Sequence, residues 1–149
     1  MRTSPRRRAR EFVLQGLYQR QLSGNAGDAI RAQLAEAGGF AKADAAYFDA
    51  MWAGVITEYD PLVEVVTPFL DRRAAALSPI ERAILVIGAW ELSHRVEIPS
   101  RVVINEAIEL AKAYGGTDGH KFVNGVLDKL AATLREGEID AARRDTGSD

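Results

Sequence analysis

Residues 83–90 read AILVIGAW, eight apolar positions in succession. Just ahead of them stands Ser78-Pro79-Ile80-Glu81. This is a helix-start signature: Ser accepts from a first-turn amide, Pro fits the first helical position, and Glu reaches back to the cap. A helix over about Pro79–His94 is predicted, apolar almost all round from Ala83 to Trp90. A helix of that kind cannot lie on a surface, so other elements must surround it. The rest of the chain supplies them. Nearly every segment repeats its apolar residues at helical spacing, and none sustains two-residue alternation, so the chain reads as all-α.

The first helix is expected over about Pro5–Leu22, opened by Ser4-Pro5 and closed by Ser23-Gly24-Asn25. Ala9, Phe12, Val13, Gly16 and Leu17 form its core stripe; Arg7, Arg10, Leu14 and Tyr18 share a neighbouring face. A short helix over about Asp28–Ala37 follows, then one over about Ala43–Tyr59 with Ala46, Tyr47, Ala50, Met51 and Gly54 on one side. Asp60-Pro61 signals a fourth, with Leu62, Val65, Val66 and Phe69 apolar and Pro68 bending or ending it. After the central helix come helices over about Ser100–Tyr114 and, capped by Asp118, about Gly119–Arg135. Residues 1–137 thus form one helical domain, and the polar tail 138–149 is expected to be disordered.

Charge is distributed unevenly. The first ten residues hold five arginines and no acid, while the rest of the chain carries 14 basic against 21 acidic residues. Arg6, Arg7, Arg8 and Arg10 crowd the start of a helix, where the backbone already presents a partial positive charge, and each costs about 0.3–1 kcal/mol at low salt. A fold gains nothing obvious from that; a polyanion would, because helix end and guanidinium groups can converge on the same phosphates. The competing reading is a solvated basic terminus. One small basic tip on an acidic body reads as a directed contact rather than a general nucleic-acid coat.

Catalysis finds little support. The chain has no cysteine and two histidines, His94 and His120, without a metal-ligand spacing. No metalloprotease or serine-hydrolase signature is present. The Gly115–Lys121 stretch, GGTDGHK, lacks Walker spacing, and it follows a helix where a Walker loop follows a strand. It reads either as a capped helix–helix turn or as a donor of amides to a phosphate. Phe122 beside it is either an edge of the core or a base-stacking platform. Tyr18 is either a surface tyrosine or part of an interface. No cofactor is implied. The longest apolar run is far short of the roughly 18 residues of a membrane span, and a cytoplasmic protein is expected.

Several strings resemble a known family. RRRARE at residues 6–11, LYQRQLS at 17–23, SPIERAILVIGAWEL at 78–92, IPSRVVINEAIELAKAYGG at 98–116 and HKFVNGVLDKL at 120–130 resemble the bacterial NusB antitermination family in order and spacing. The stretch from about Gly24 to Ala76 matches in pattern only. The resemblance implies an all-α fold of about seven helices in two packed lobes, and a non-enzymatic, RNA-binding transcription antitermination factor. It implies pairing with NusE, a ribosomal small-subunit protein, recognition of boxA RNA, and assembly with RNA polymerase and other Nus factors, notably on ribosomal RNA operons. Some members are implied to form homodimers when free.

Carried over by position, Arg2, Arg6, Arg7 and Arg10 are implied as RNA contacts, with Asp118, Lys121 and Phe122 as a second part of that surface. Tyr18 and Glu81 are implied on the NusE-facing side. The alternative is the NusB-like domain of a ribosomal RNA cytosine methyltransferase; the chain shows no Gly-rich methyl-donor site and no nucleophilic cysteine, and its charged tail reads as a natural end. Two positions depart from the family pattern. Gly16 stands where alanine is usual, at roughly 1 kcal/mol in helix propensity, and invites closer helix packing. Gly119 stands where serine is common and removes a hydroxyl from the turn.

Overall fold

The computed structural model describes residues 4–71, 76–116 and 118–138. Among them are seven α-helices and two short 3-10 turns, with no strand: α1 (Pro5–Ser23), α2 (Gly27–Ala35), α3 (Ala45–Thr57), α4 (Tyr59–Val66), α5 (Pro79–His94), α6 (Ser100–Tyr114) and α7 (Gly119–Leu134). The 3-10 turns span Phe40–Lys42 and Thr67–Phe69. Helix α5 is the hub. It packs against α1, α3 and α4 on one side and α6 and α7 on the other. All ten residues from Ala83 to Leu92 are buried, as the all-round apolar pattern requires. Among the described residues no helix is long and apolar enough to cross a membrane.

The helix starts follow local chemistry. Ser4 Oγ accepts from the Arg7 amide at 3.1 Å, and Ser78 Oγ accepts from the Glu81 amide at 3.1 Å. Asp44 caps α3 by accepting from the Tyr47 amide at 3.0 Å. Asp60 does not cap α4: the helix begins at Tyr59, with Asp60 and Pro61 inside the first turn. Proline is tolerated there because first-turn amides have no intrahelical partner. Asp118 stands at the α7 cap position without a side-chain cap bond. Its carboxylate lies 3.5 Å from Lys121 Nζ instead.

One expected face is rotated, and another is wider than expected. In α3 the buried side is Tyr47, Phe48, Met51, Trp52 and Val55, and Ala46 and Ala50 are exposed. The aromatic and long side chains bury more apolar surface than the alanines, so they set the orientation. In α1 the face carrying Arg10 and Leu14 is buried, as well as the Ala9–Phe12–Val13–Leu17 stripe. Gly16 allows the Trp52 ring to approach: a Cβ there would sit 2.6 Å from Trp52 Cζ3.

Glu138, expected at the start of the tail, is part of the fold. Its Oε1 accepts from the Ser100 amide and hydroxyl, both at 2.8 Å, and Oε2 accepts from Arg135 at 2.7 Å. Helix α6 has Pro99 at its cap position with no side-chain cap bond, so this carboxylate does the work of a cap from 38 residues away. Burial opposes the charge on Glu138, but the Ser100 and Arg135 hydrogen bonds prevail and hold its pKa below the ordinary carboxylate value. Arg135, itself buried, donates to the carbonyls of Leu92, Arg95 and Ile98 and closes the end of α5. The rest of the expected tail, 139–149, lies outside the described residues.

Candidate nucleic-acid interface

Three of the arginines opening α1, Arg6, Arg7 and Arg10, are held by acids from three other helices or their caps. Arg10 is buried, and its Nε and Nη2 each donate to Glu91 of α5 at 2.8 Å. Tyr47 of α3 also donates its hydroxyl to Glu91. Arg7 donates to both oxygens of Glu106 on α6, at 2.8 and 3.2 Å. Arg6 is more open, 3.8 Å from Asp44 and stacked 4.5 Å from the Tyr47 ring centroid. The Tyr47 ring also meets the guanidinium groups of Arg10 at 5.4 Å and Arg95 at 4.8 Å.

This arrangement corrects the expected division of labour. The arginine cluster is not an electrostatic burden carried solely for a polyanion, because Glu91, Glu106 and Asp44 compensate it internally. Arg10 is enclosed in the core with Glu91, whereas the side chains of Arg6 and Arg7 remain 45% and 38% exposed. Arg2 lies outside the described residues.

The ionisation states follow from the same contacts. Burial lowers the Arg10 pKa, but the hydrogen bonds and charge of Glu91 outweigh it and hold Arg10 above its ordinary value. Burial, then Glu91, pushes the Tyr47 phenol up. The hydrogen bond to Glu106, against a smaller opposing effect of burial, raises Arg7. All three groups therefore stay protonated at neutral pH.

Helix α6 meets the opening turns of α1 through side chains. Arg7 meets Glu106, and one turn further along α1 Glu11 accepts from the Tyr114 hydroxyl at 3.0 Å. The end of α6 is thereby held alongside the opening turns of α1. A cleft of about 160 Å³ lies between, lined by Arg7, Glu11, Glu109, Leu110, Ala113 and Tyr114. At the start of α7, Lys121 is strongly exposed. Phe122 is half-buried against the core, so it packs inward and still presents an edge to a surface groove. The core-edge reading of Phe122 describes its inward face.

Tyr18 and Glu81 come from two helices that meet. Tyr18 is exposed on α1. One turn on, Gln21 donates to the Pro79 carbonyl at 3.2 Å, which sets that end of α1 beside the start of α5 where Glu81 stands. This surface adjoins the opposite half of α1 from Arg6 and Arg7.

The family model for the NusB family matches residues 7–132. The chain belongs to the NusB family. It is 60% identical over 141 residues to the transcription antitermination protein NusB of Ralstonia nicotianae, covering 95% of this chain and 90% of the relative. It is 56% identical to the NusB protein of Paraburkholderia xenovorans, covering 95% of this chain and 98% of that one. A solved structure of T. maritima NusB superposes with a TM-score of 0.80 at 27% identity, covering 94% of this chain and 99% of that one. The all-α NusB architecture is therefore the fold of this chain.

Sequence reasoning missed Glu91, and missed that Glu106 and Tyr47 help to fix the arginines. A signal was present in Glu91. It is an acid continuing the apolar run of a helix that must be buried, and a buried carboxylate demands a cation.

Proposed function

We propose that this NusB-family transcription antitermination protein works as a non-catalytic adaptor that pairs with NusE and binds boxA RNA. In this reading the pair joins the antitermination complex on RNA polymerase with other Nus factors, notably on ribosomal RNA operons in the cytoplasm. Arg6 and Arg7 take phosphates at one end. Lys121, beside Asp118, takes them at the other, and the Phe122 edge receives a base. Tyr18 and Glu81 face NusE. The observation that carries the reading is the family match over residues 7–132 together with exposed basic groups at both of these places.

The binding must be salt-sensitive. Each phosphate contact on a single strand contributes roughly 0.7 to the slope of log affinity against log salt. The test is titration of boxA RNA against the chain, alone and with NusE, for wild type and for Phe122→Asp and Tyr18→Asp. Phe122→Asp is expected to lose RNA and keep NusE. Tyr18→Asp is expected to lose NusE and to lose RNA affinity only through the missing pair. Equal loss of both ligands by both folded variants would refute the two-surface reading.

A further inference from the structure

Three helical glycines have a packing reason to be glycine. A Cβ at Gly16, Gly54 or Gly88 would run into Trp52, Trp90 or Leu127 respectively. Gly125, the seventh residue of α7, has none. It is exposed, its φ is not positive, and a Cβ there would meet nothing within 4 Å. Apart from proline, glycine is the least favourable residue inside a helix, so the fold would be better served by almost anything else. The bare backbone opens onto a groove of about 220 Å³. Its lining includes Lys121, Phe122 and Lys129 of α7, Phe69 at the end of the 3-10 turn that packs on α7, and Asp71 two residues beyond it.

The spacing gives the groove a direction. Positions 121, 125 and 129 lie one above another on one face of the helix, so Gly125 is a gap between two exposed lysines. Phe69 and Phe122 supply apolar surface within the same groove. Cations four residues either side of a bare backbone, with aromatic walls, suit a sugar-phosphate chain whose base turns inward. Asp71, already engaged within the protein, retains acceptor capacity for a base amino group and disfavours a phosphate at its own rim.

We infer that single-stranded RNA runs along α7 past Gly125 to Lys129, with one base seated against Phe69 and Phe122. This rests on the RNA-binding reading above and extends it two turns along α7 beyond Lys121. Gly125 acts by letting the strand approach the helix; Lys129 holds a further phosphate.

The test uses the full chain with NusE and a boxA RNA oligonucleotide. Gly125→Leu fills the groove and should improve the helix, so its melting temperature is expected to hold or rise. Its RNA affinity is expected to fall about tenfold or more, the worth of one lost base stack. Lys129→Gln is expected to reduce the salt slope by about 0.7. Lys121→Ala serves as reference for the end of the path already proposed above. Wild-type RNA affinity in both Gly125→Leu and Lys129→Gln, with Lys121→Ala impaired, would overturn the inference and leave the RNA-binding function standing. Loss of NusE binding with RNA binding intact in Gly125→Leu would assign the groove to the protein partner and also overturn it. Absence of boxA binding by the wild-type pair would remove the function itself. If Gly125→Leu fails to fold, Gly125→Ala and Lys129→Gln still decide the matter.

Discussion

Arg10→Ala separates a structural arginine from an RNA-binding one. The Arg10 and Glu91 side chains are 4% and 1% exposed and meet through two hydrogen bonds of 2.8 Å. Removing the guanidinium leaves the Glu91 carboxylate in the core with, among the described residues, the Tyr47 hydroxyl as its remaining side-chain donor. Breaking a buried pair in this way costs about 3–5 kcal/mol, far more than the pair itself contributes. For a chain of this size each kcal/mol moves the midpoint by about 2–4 °C, so a fall of roughly 6–20 °C is expected in thermal unfolding followed by circular dichroism. The double variant Arg10→Met/Glu91→Gln removes both charges and keeps an acceptor for Tyr47. It should be more stable than Arg10→Met alone, with a coupling of about 1–3 kcal/mol. RNA binding by the folded fraction of Arg10→Ala should keep the wild-type salt slope, whereas Arg6→Ala lowers it by about 0.7. An Arg10→Ala protein within 1 °C of wild type, or one with a reduced salt slope while fully folded, would refute this account.

Gly54→Ala drives a methyl group into the Trp90 indole and is expected to cost about 1–3 kcal/mol by urea unfolding; an unchanged midpoint would show that α3 and α5 can separate freely. Tyr47, whose pKa is raised in the fold, contributes stability that is present below about pH 10 and lost as pH rises through its folded value. Tyr47→Phe should therefore flatten the alkaline arm of the stability profile, and an identical arm would contradict the burial argument. Glu138 has a lowered pKa, so its contribution is present above about pH 4.3 and lost as pH falls through its folded value. Glu138→Gln should destabilise at neutral pH and make the acid arm shallower; equal acid arms in the two proteins would show the α6 contact to be idle.

The helices were legible where local chemistry decides. Ser4, Ser78 and the apolar block at 83–90 fixed α1 and α5 in advance because caps and periodicity act within one turn. The orientation of α3 was less legible, since Ala46 and Tyr47 are neighbours in sequence and only packing against α1 and α5 chooses between them. The role of Arg10 was hidden for a related reason. Its partner is 81 residues away, and one strand of sequence does not say that two helices cross there. Gly16 and Gly125 read alike as letters; one accommodates Trp52 and the other faces open space. Glu138 looked like tail because its cap contact to Ser100 is made between segments far apart in the chain.

The most direct test of the central claim is a map of where RNA touches the protein. Photo-crosslinking of boxA RNA to the chain in the presence of NusE, followed by peptide mass spectrometry, reads contacts residue by residue. The account predicts crosslinks in the peptides bearing Arg6–Arg7 and Lys121–Phe122, continuing to Lys129, and none at Arg10 or around Tyr18 and Glu81. Crosslinks centred on Tyr18 and Glu81, with the Lys121–Phe122 peptide unmarked, would contradict it.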